Sequence, residues 1–98
     1  MKLVYAPRAK REIKHALNWW ANNRLDAPTM LADELDEHLD KLLKTPHLGE
    51  PWGERGGIEI RKVLLPRTKK KLFVMHPAPD ELHIICFWGG QRGREPKL

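Results

Sequence analysis

Leu31-Ala32-Asp33-Glu34-Leu35-Asp36-Glu37-His38-Leu39-Asp40-Lys41-Leu42-Leu43-Lys44-Thr45-Pro46 carries the pattern that decides the fold. Leu31, Leu35, Leu39, Leu42 and Leu43 recur at the three-and-four spacing that gathers side chains on one helical face, where a strand would need strict alternation. The Thr45-Pro46 pair predicts an end near Lys44, because proline disfavours helical geometry in the residue before it. At the other end Asp26 reads as the N-cap with Pro28 in the first turn, and the acids that follow suit the positive end of a helix. Asp33, Glu34, Asp36, Glu37 and Asp40 read as the polar, solvated side, with His38 among them on the surface.

Upstream, Ile13, Ala16, Leu17, Trp20 and Ala21 draw a second apolar stripe opposite Lys10, Arg11, Lys14 and Asn18, which predicts a helix from about Pro7 to Asn23. His15 belongs to its exposed face. Trp19 and Trp20 point about 100° apart on such a helix, so Trp20 can enter the core while Trp19 sits at its edge or meets a partner. Only the polar break beginning Asn22-Asn23-Arg24 separates the helices, and a connection this short favours an antiparallel hairpin. Before it, Lys2 to Ala6 reads as a short strand that Pro7 stops.

Downstream, His47 to Gly57 holds Gly49, Pro51, Gly53, Gly56 and Gly57 and reads as a loop from which Trp52 folds back on the core. Three β-rich runs follow, around Ile58 to Val63, Leu72 to His76 and Leu82 to Trp88, with turns at Pro66 to Lys70 and Pro77 to Glu81. The order is strand-helix-helix-strand-strand-strand, an α+β chain in which a helical hairpin packs on an antiparallel sheet. At 98 residues it has room for one core, so residues 1–98 form a single domain.

Charge narrows the classes of partner. The chain carries 18 Lys and Arg against 13 Asp and Glu, a net charge of +5, which favours nucleic acid or acidic protein segments. Its basic residues Arg61, Lys62, Arg67, Lys69, Lys70 and Lys71 follow one another without an intervening acid, well away from the acidic helix, so the molecule is expected to be electrically two-sided. The single cysteine, Cys86, lies between Ile85 and Phe87 and reads as a packed thiol in a reducing compartment. No apolar run reaches the roughly 20 residues that cross a bilayer, and Met1 to Tyr5 lacks the apolar stretch of a signal peptide, so the expected location is cytoplasmic with no membrane partner.

Ala9 and Ile13 in the first helix, Thr45-Pro46-His47-Leu48-Gly49 after the second, Ile60-Arg61 opening the meander and a last strand running into Trp88-Gly89-Gly90-Gln91-Arg92 form a pattern over residues 2–94. It resembles the RelE/ParE superfamily of type II toxin-antitoxin modules. The resemblance implies a toxin neutralised by a cognate antitoxin, reaching operator DNA only through that antitoxin. RelE-like members cleave messenger RNA on the ribosome, whereas ParE-like members act on DNA gyrase. Arg61, Lys71 and Arg92 fall near positions that are basic in RelE-like toxins, but Glu59 stands where those tend to have lysine, and no tyrosine follows Arg92.

RNA cleavage needs a base for the ribose hydroxyl, cations for the phosphate and an acid for the leaving oxygen. His76 and His83 are the candidate acid-base groups, since imidazole ordinarily titrates near neutrality; both read equally as plain sheet histidines. The depleted set tilts the expectation towards the ParE-like branch and gyrase inhibition, with ribosome-dependent cleavage of mRNA as the alternative and a non-toxic nucleic-acid-binding module as a third reading. Arg61, Lys62, Arg67, Lys69, Lys70, Lys71, Arg92 and Arg94 are the candidate partner-binding residues. Arg67 to Lys71 also reads as a solvated turn that discourages edge aggregation, and Gln91 to Arg94 as a frayed tail. The scattered histidines show no metal-ligand spacing, and no cofactor is expected.

Overall fold

The computed structural model describes residues 1–89 and 94–98. Its elements run β1 (Lys2–Tyr5), α1 (Pro7–Asn23), α2 (Met30–Lys44), β2 (Glu50–Arg55), β3 (Ile58–Leu65), β4 (Lys70–Ala78) and β5 (Glu81–Trp88). Two helices lie on a five-stranded mixed sheet of order β1-β5-β4-β3-β2. The last four strands are antiparallel neighbours, and β1 runs parallel to β5, with Leu3 opposite Leu82 and Tyr5 opposite Ile84.

α1 has the predicted bounds, with Pro7 in its first turn where a missing N–H costs nothing. Trp20 is buried and its indole N–H donates to the Ala27 carbonyl at 2.9 Å. Ala21, expected on the apolar face, is exposed. The bond from Trp20 holds the connection in turns, and Met30 N–H reaches back to Ala27. α2 therefore starts at Met30 with Thr29 as its cap residue, later than the Asp26 cap the sequence suggested.

The sheet separates two clusters because side chains alternate along each strand. On the helix side Leu31, Leu35, Leu39 and Leu42 pack with Val63, Leu65, Leu72, Val74, Leu82, Ile84 and Phe87. On the other side Ile60, Phe73, Met75, Ile85 and Cys86 form a smaller cluster joined by Trp52, Ile58, Trp88 and Leu98. A register shift at Phe73/Val74 lets Ile85 and Cys86 both join it. The C-terminal residues cross this face: Trp88 Nε1 donates to the Arg94 carbonyl at 3.2 Å, and Lys62 pairs with Glu95 at 3.7 Å.

Two sequence expectations change here. The His47–Gly57 stretch is not all loop, since Glu50–Arg55 forms the edge strand β2. Pro51 fits an edge, where a donor can be spared, and the register shifts between Pro51 and Gly53. Trp52 does fold inward, meeting Phe73 edge-on at 4.9 Å, but it serves the second cluster. His38, read as a surface residue, is buried, and its Nδ1 donates to the Glu34 carbonyl at 2.9 Å.

Gly49 has a steric reason to be glycine. Its φ is +95°, and a Cβ there would stand 2.5 Å from the Lys62 carbonyl oxygen and 2.9 Å from Val63. The loop after α2 thereby lies directly on β3.

Candidate functional site

Arg61 and Val74 are partners in the β3–β4 ladder, and Val74 belongs to the helix-side cluster, so Arg61 faces the helices. Its guanidinium donates to Glu59 and to the Gly49 carbonyl, the latter at 2.8 Å, while its Nε is buried without a partner among the described residues. Beside it a cavity of about 70 Å³ is lined by His47, Ile58, Glu59, Val74 and His76. The His47 and His76 rings meet edge-on at right angles, centroids 5.3 Å apart. His76 Nδ1 lies 2.8 Å from the Glu81 carbonyl, which can only accept, so Nδ1 carries the proton and Nε2 is left as the acceptor of the neutral ring.

This cluster joins one predicted cation, Arg61, to one predicted acid-base group, His76. It adds His47, which the sequence did not single out. His83 is elsewhere: it sits opposite Val4 and Met75, with Nε2 2.9 Å from Glu81 Oε1.

Lys71 does not join Arg61. It pairs with Leu64 in the ladder, three positions from the Arg61–Val74 pair, or about 10 Å along the strand. Its neighbour Leu72 faces the helices, so Lys71 faces away from them. Lys62, also opposite the helices, is engaged by Glu50 at 3.3 Å and by Glu95. Arg92 lies outside the described residues, and Arg94 is exposed.

Arg67, Lys69 and Lys70 gather instead at the β3–β4 turn, which the buried Glu34 holds from below. Glu34 Oε2 accepts the Arg67 backbone N–H at 2.6 Å, and Oε1 accepts the Thr68 N–H at 2.9 Å and hydroxyl at 2.7 Å. Burial pushes the Glu34 carboxyl pKa up, but the Thr68 hydroxyl, the two backbone N–H groups and the Arg67 charge outweigh it, and the net shift is downward. Arg67 also donates to Glu37 at 3.1 Å. The expected separation of acidic and basic regions is thus bridged at this point: the acids of α2 clasp the first cation of the basic turn.

Glu12 was also missed. From α1 it accepts the Phe87 backbone N–H at 3.1 Å and pairs with Arg8 at 3.1 Å. Cys86 is fully buried, and desolvation with the nearby Glu12 charge pushes its thiol up to about 12. It is a packing residue with no thiolate at neutral pH.

Among the described residues no group of three or more potential metal ligands occurs and no helix is long and apolar enough to cross a membrane. No protein-family model matches the chain, and comparison with curated proteins finds no match.

Proposed function

We propose that the chain is the toxin of a type II toxin-antitoxin module, ParE-like in action, which inhibits DNA gyrase by binding it and is neutralised by a cognate antitoxin. The observation that carries this choice of branch is the separation of Arg61 from Lys71, which lie on opposite faces of the sheet. Cations that must converge on one phosphate cannot act from two faces, so a contact surface suits these residues better than a cleavage centre. The strand-helix-helix-meander order and the Thr45-Pro46-His47-Leu48-Gly49 loop, with its steric demand for Gly49, support the superfamily resemblance. Purified protein is expected to stop gyrase supercoiling while translated messages stay intact. Full supercoiling at saturating protein would sink the proposal.

A second reading rests on the Arg61, His47 and His76 cluster, which supplies a cation and two imidazoles within one small cavity. Under it the chain is a metal-independent, ribosome-dependent mRNA endonuclease. Primer extension on translated messages tests it: cleavage by the unaltered chain that disappears in His76→Ala and Arg61→Ala would establish this reading over the first.

A further inference from the structure

The surface where α1 passes the β3–β4 turn is separate from the Arg61 cluster. Trp19 is 48% exposed there, the one large aromatic among the described residues that is left so open. It stands between two hollows. One, of about 320 Å³, is lined by His15, Phe87 and Trp88; the other, of about 350 Å³, is lined by Arg24, Asp26, Arg67 and Lys69. Trp19 and Lys70 line both.

The turn beside the indole is held in shape. Lys69 occupies the left-handed region at φ 64°, a conformation that costs a lysine energy, and Lys69 N–H closes the turn onto the Leu65 carbonyl at 2.9 Å. Lys70 Nζ rests 3.3 Å from the Gly89 carbonyl. Among the described residues neither lysine forms an ion pair. Arg24 lies over the Trp20 ring at 5.3 Å, and among the described residues the acids that line the two hollows are Glu12, already engaged by Arg8 and the Phe87 N–H, and Asp26.

We propose that this groove binds single-stranded nucleic acid, one base stacking on Trp19 while Lys69 and Lys70 hold the adjoining phosphates. A flat aromatic surface between hollows of nucleotide size, next to consecutive lysines on a rigid turn, is what sequence-tolerant strand binding uses. An acidic peptide would satisfy the lysines but has no comparable face for the indole. The site goes beyond gyrase inhibition and does not depend on it.

The test is fluorescence anisotropy of the full chain with fluorescein-labelled dT10 and rU10 over a salt series. Trp19→Ala is expected to weaken binding by roughly 5- to 150-fold, and Trp19→Tyr to retain most of it. Lys69→Gln with Lys70→Gln should reduce the slope of log affinity against log salt by about 1.4, at about 0.7 per charge. A charge-matched pair elsewhere, Lys2→Gln with Lys44→Gln, should not reproduce the loss caused by Trp19→Ala. Circular dichroism checks folding, and the lysine pair decides the matter should Trp19→Ala not fold. Affinity within twofold for Trp19→Ala, or an unchanged salt slope in the lysine pair, would overturn the proposal. So would tighter binding of polyglutamate that is lost in the same variants, which would assign the groove to an acidic protein segment. Gyrase supercoiling by these variants is a separate measurement, so either proposal can fail alone.

Discussion

Glu34 on α2 and Thr68 in the β3–β4 turn are joined by two hydrogen bonds to a single carboxylate oxygen, from the Thr68 N–H and from its hydroxyl. Both residues are buried, and 34 positions of chain separate them. A carboxylate withdrawn from water is costly unless fully paired, and here the pairing comes from the backbone of the turn itself. The helical hairpin is therefore tied to the far end of the meander by a polar clasp as well as by leucines. Replacing Glu34 by alanine leaves the Arg67 and Thr68 N–H groups and the Thr68 hydroxyl without acceptors. A loss of about 2–4 kcal/mol is expected in urea unfolding, with a smaller loss for Glu34→Gln, whose amide oxygen still accepts.

The same clasp makes stability depend on pH with a definite sign. The folded-state pKa of Glu34 is lowered, so the native state holds the charged form more firmly than the unfolded chain does. Its contribution is fully present above the unfolded glutamate value of about 4.3 and is lost as pH falls through the lowered folded value. Urea midpoints measured from pH 7 downward should fall more steeply for the unaltered chain than for Glu34→Gln. Parallel curves would show that Glu34 does not govern the acid limb.

Gly49 and Gly53 separate conformational need from composition. Gly49 combines a φ of +95° with a site where a methyl group meets the Lys62 backbone, whereas a Cβ at Gly53 has nothing within 4 Å. Gly49→Ala is expected to cost about 2 kcal/mol or more, and Gly53→Ala less than about 0.5 kcal/mol. Because Gly49 also accepts from Arg61, Gly49→Ala should disturb the Arg61–His47–His76 cluster, visible as shifted histidine resonances.

How far these features were legible follows from where their partners lie. The leucine stripe was readable because helical spacing is local, and α2 buries Leu31, Leu35, Leu39 and Leu42 as expected. Glu34 and His38 share that face, three residues after Leu31 and Leu35, but their charge and polarity suggested the solvent side. What pays for burying Glu34 is a turn more than thirty residues away, and no local pattern reports it. β2 was missed because Pro51 and Gly53 are poor strand residues whose pairing with β3, not propensity, makes them extended. The basic residues were found individually. Their division among the helix side, the outer face and the turn follows from strand parity and register, and the β4–β5 shift shows how one extra residue alters that count.

Glu12 and Cys86 give the last prediction. β1 pairs with β5 only as far as Tyr5 and Ile84, and Ala6 N–H closes on the Ile84 carbonyl. Beyond that point no strand among the described residues lies beside the β5 edge, and Glu12 from α1 takes the Phe87 N–H in its place. The carboxylate also stands 4.0 Å from Cys86 Sγ, where its charge adds to the desolvation that pushes the thiol up to about 12. In the native chain Cys86 should resist iodoacetamide at pH 8 and react promptly once urea exposes it. Glu12→Ala removes the acceptor and the charge together. It is expected to cost about 1–3 kcal/mol and to speed Cys86 alkylation, because the edge opens more often and the thiolate is repelled less. Glu12→Gln keeps an acceptor without the charge, so it should recover most of the stability. Equal alkylation rates in the unaltered chain and Glu12→Ala would show that the helix does not guard this edge.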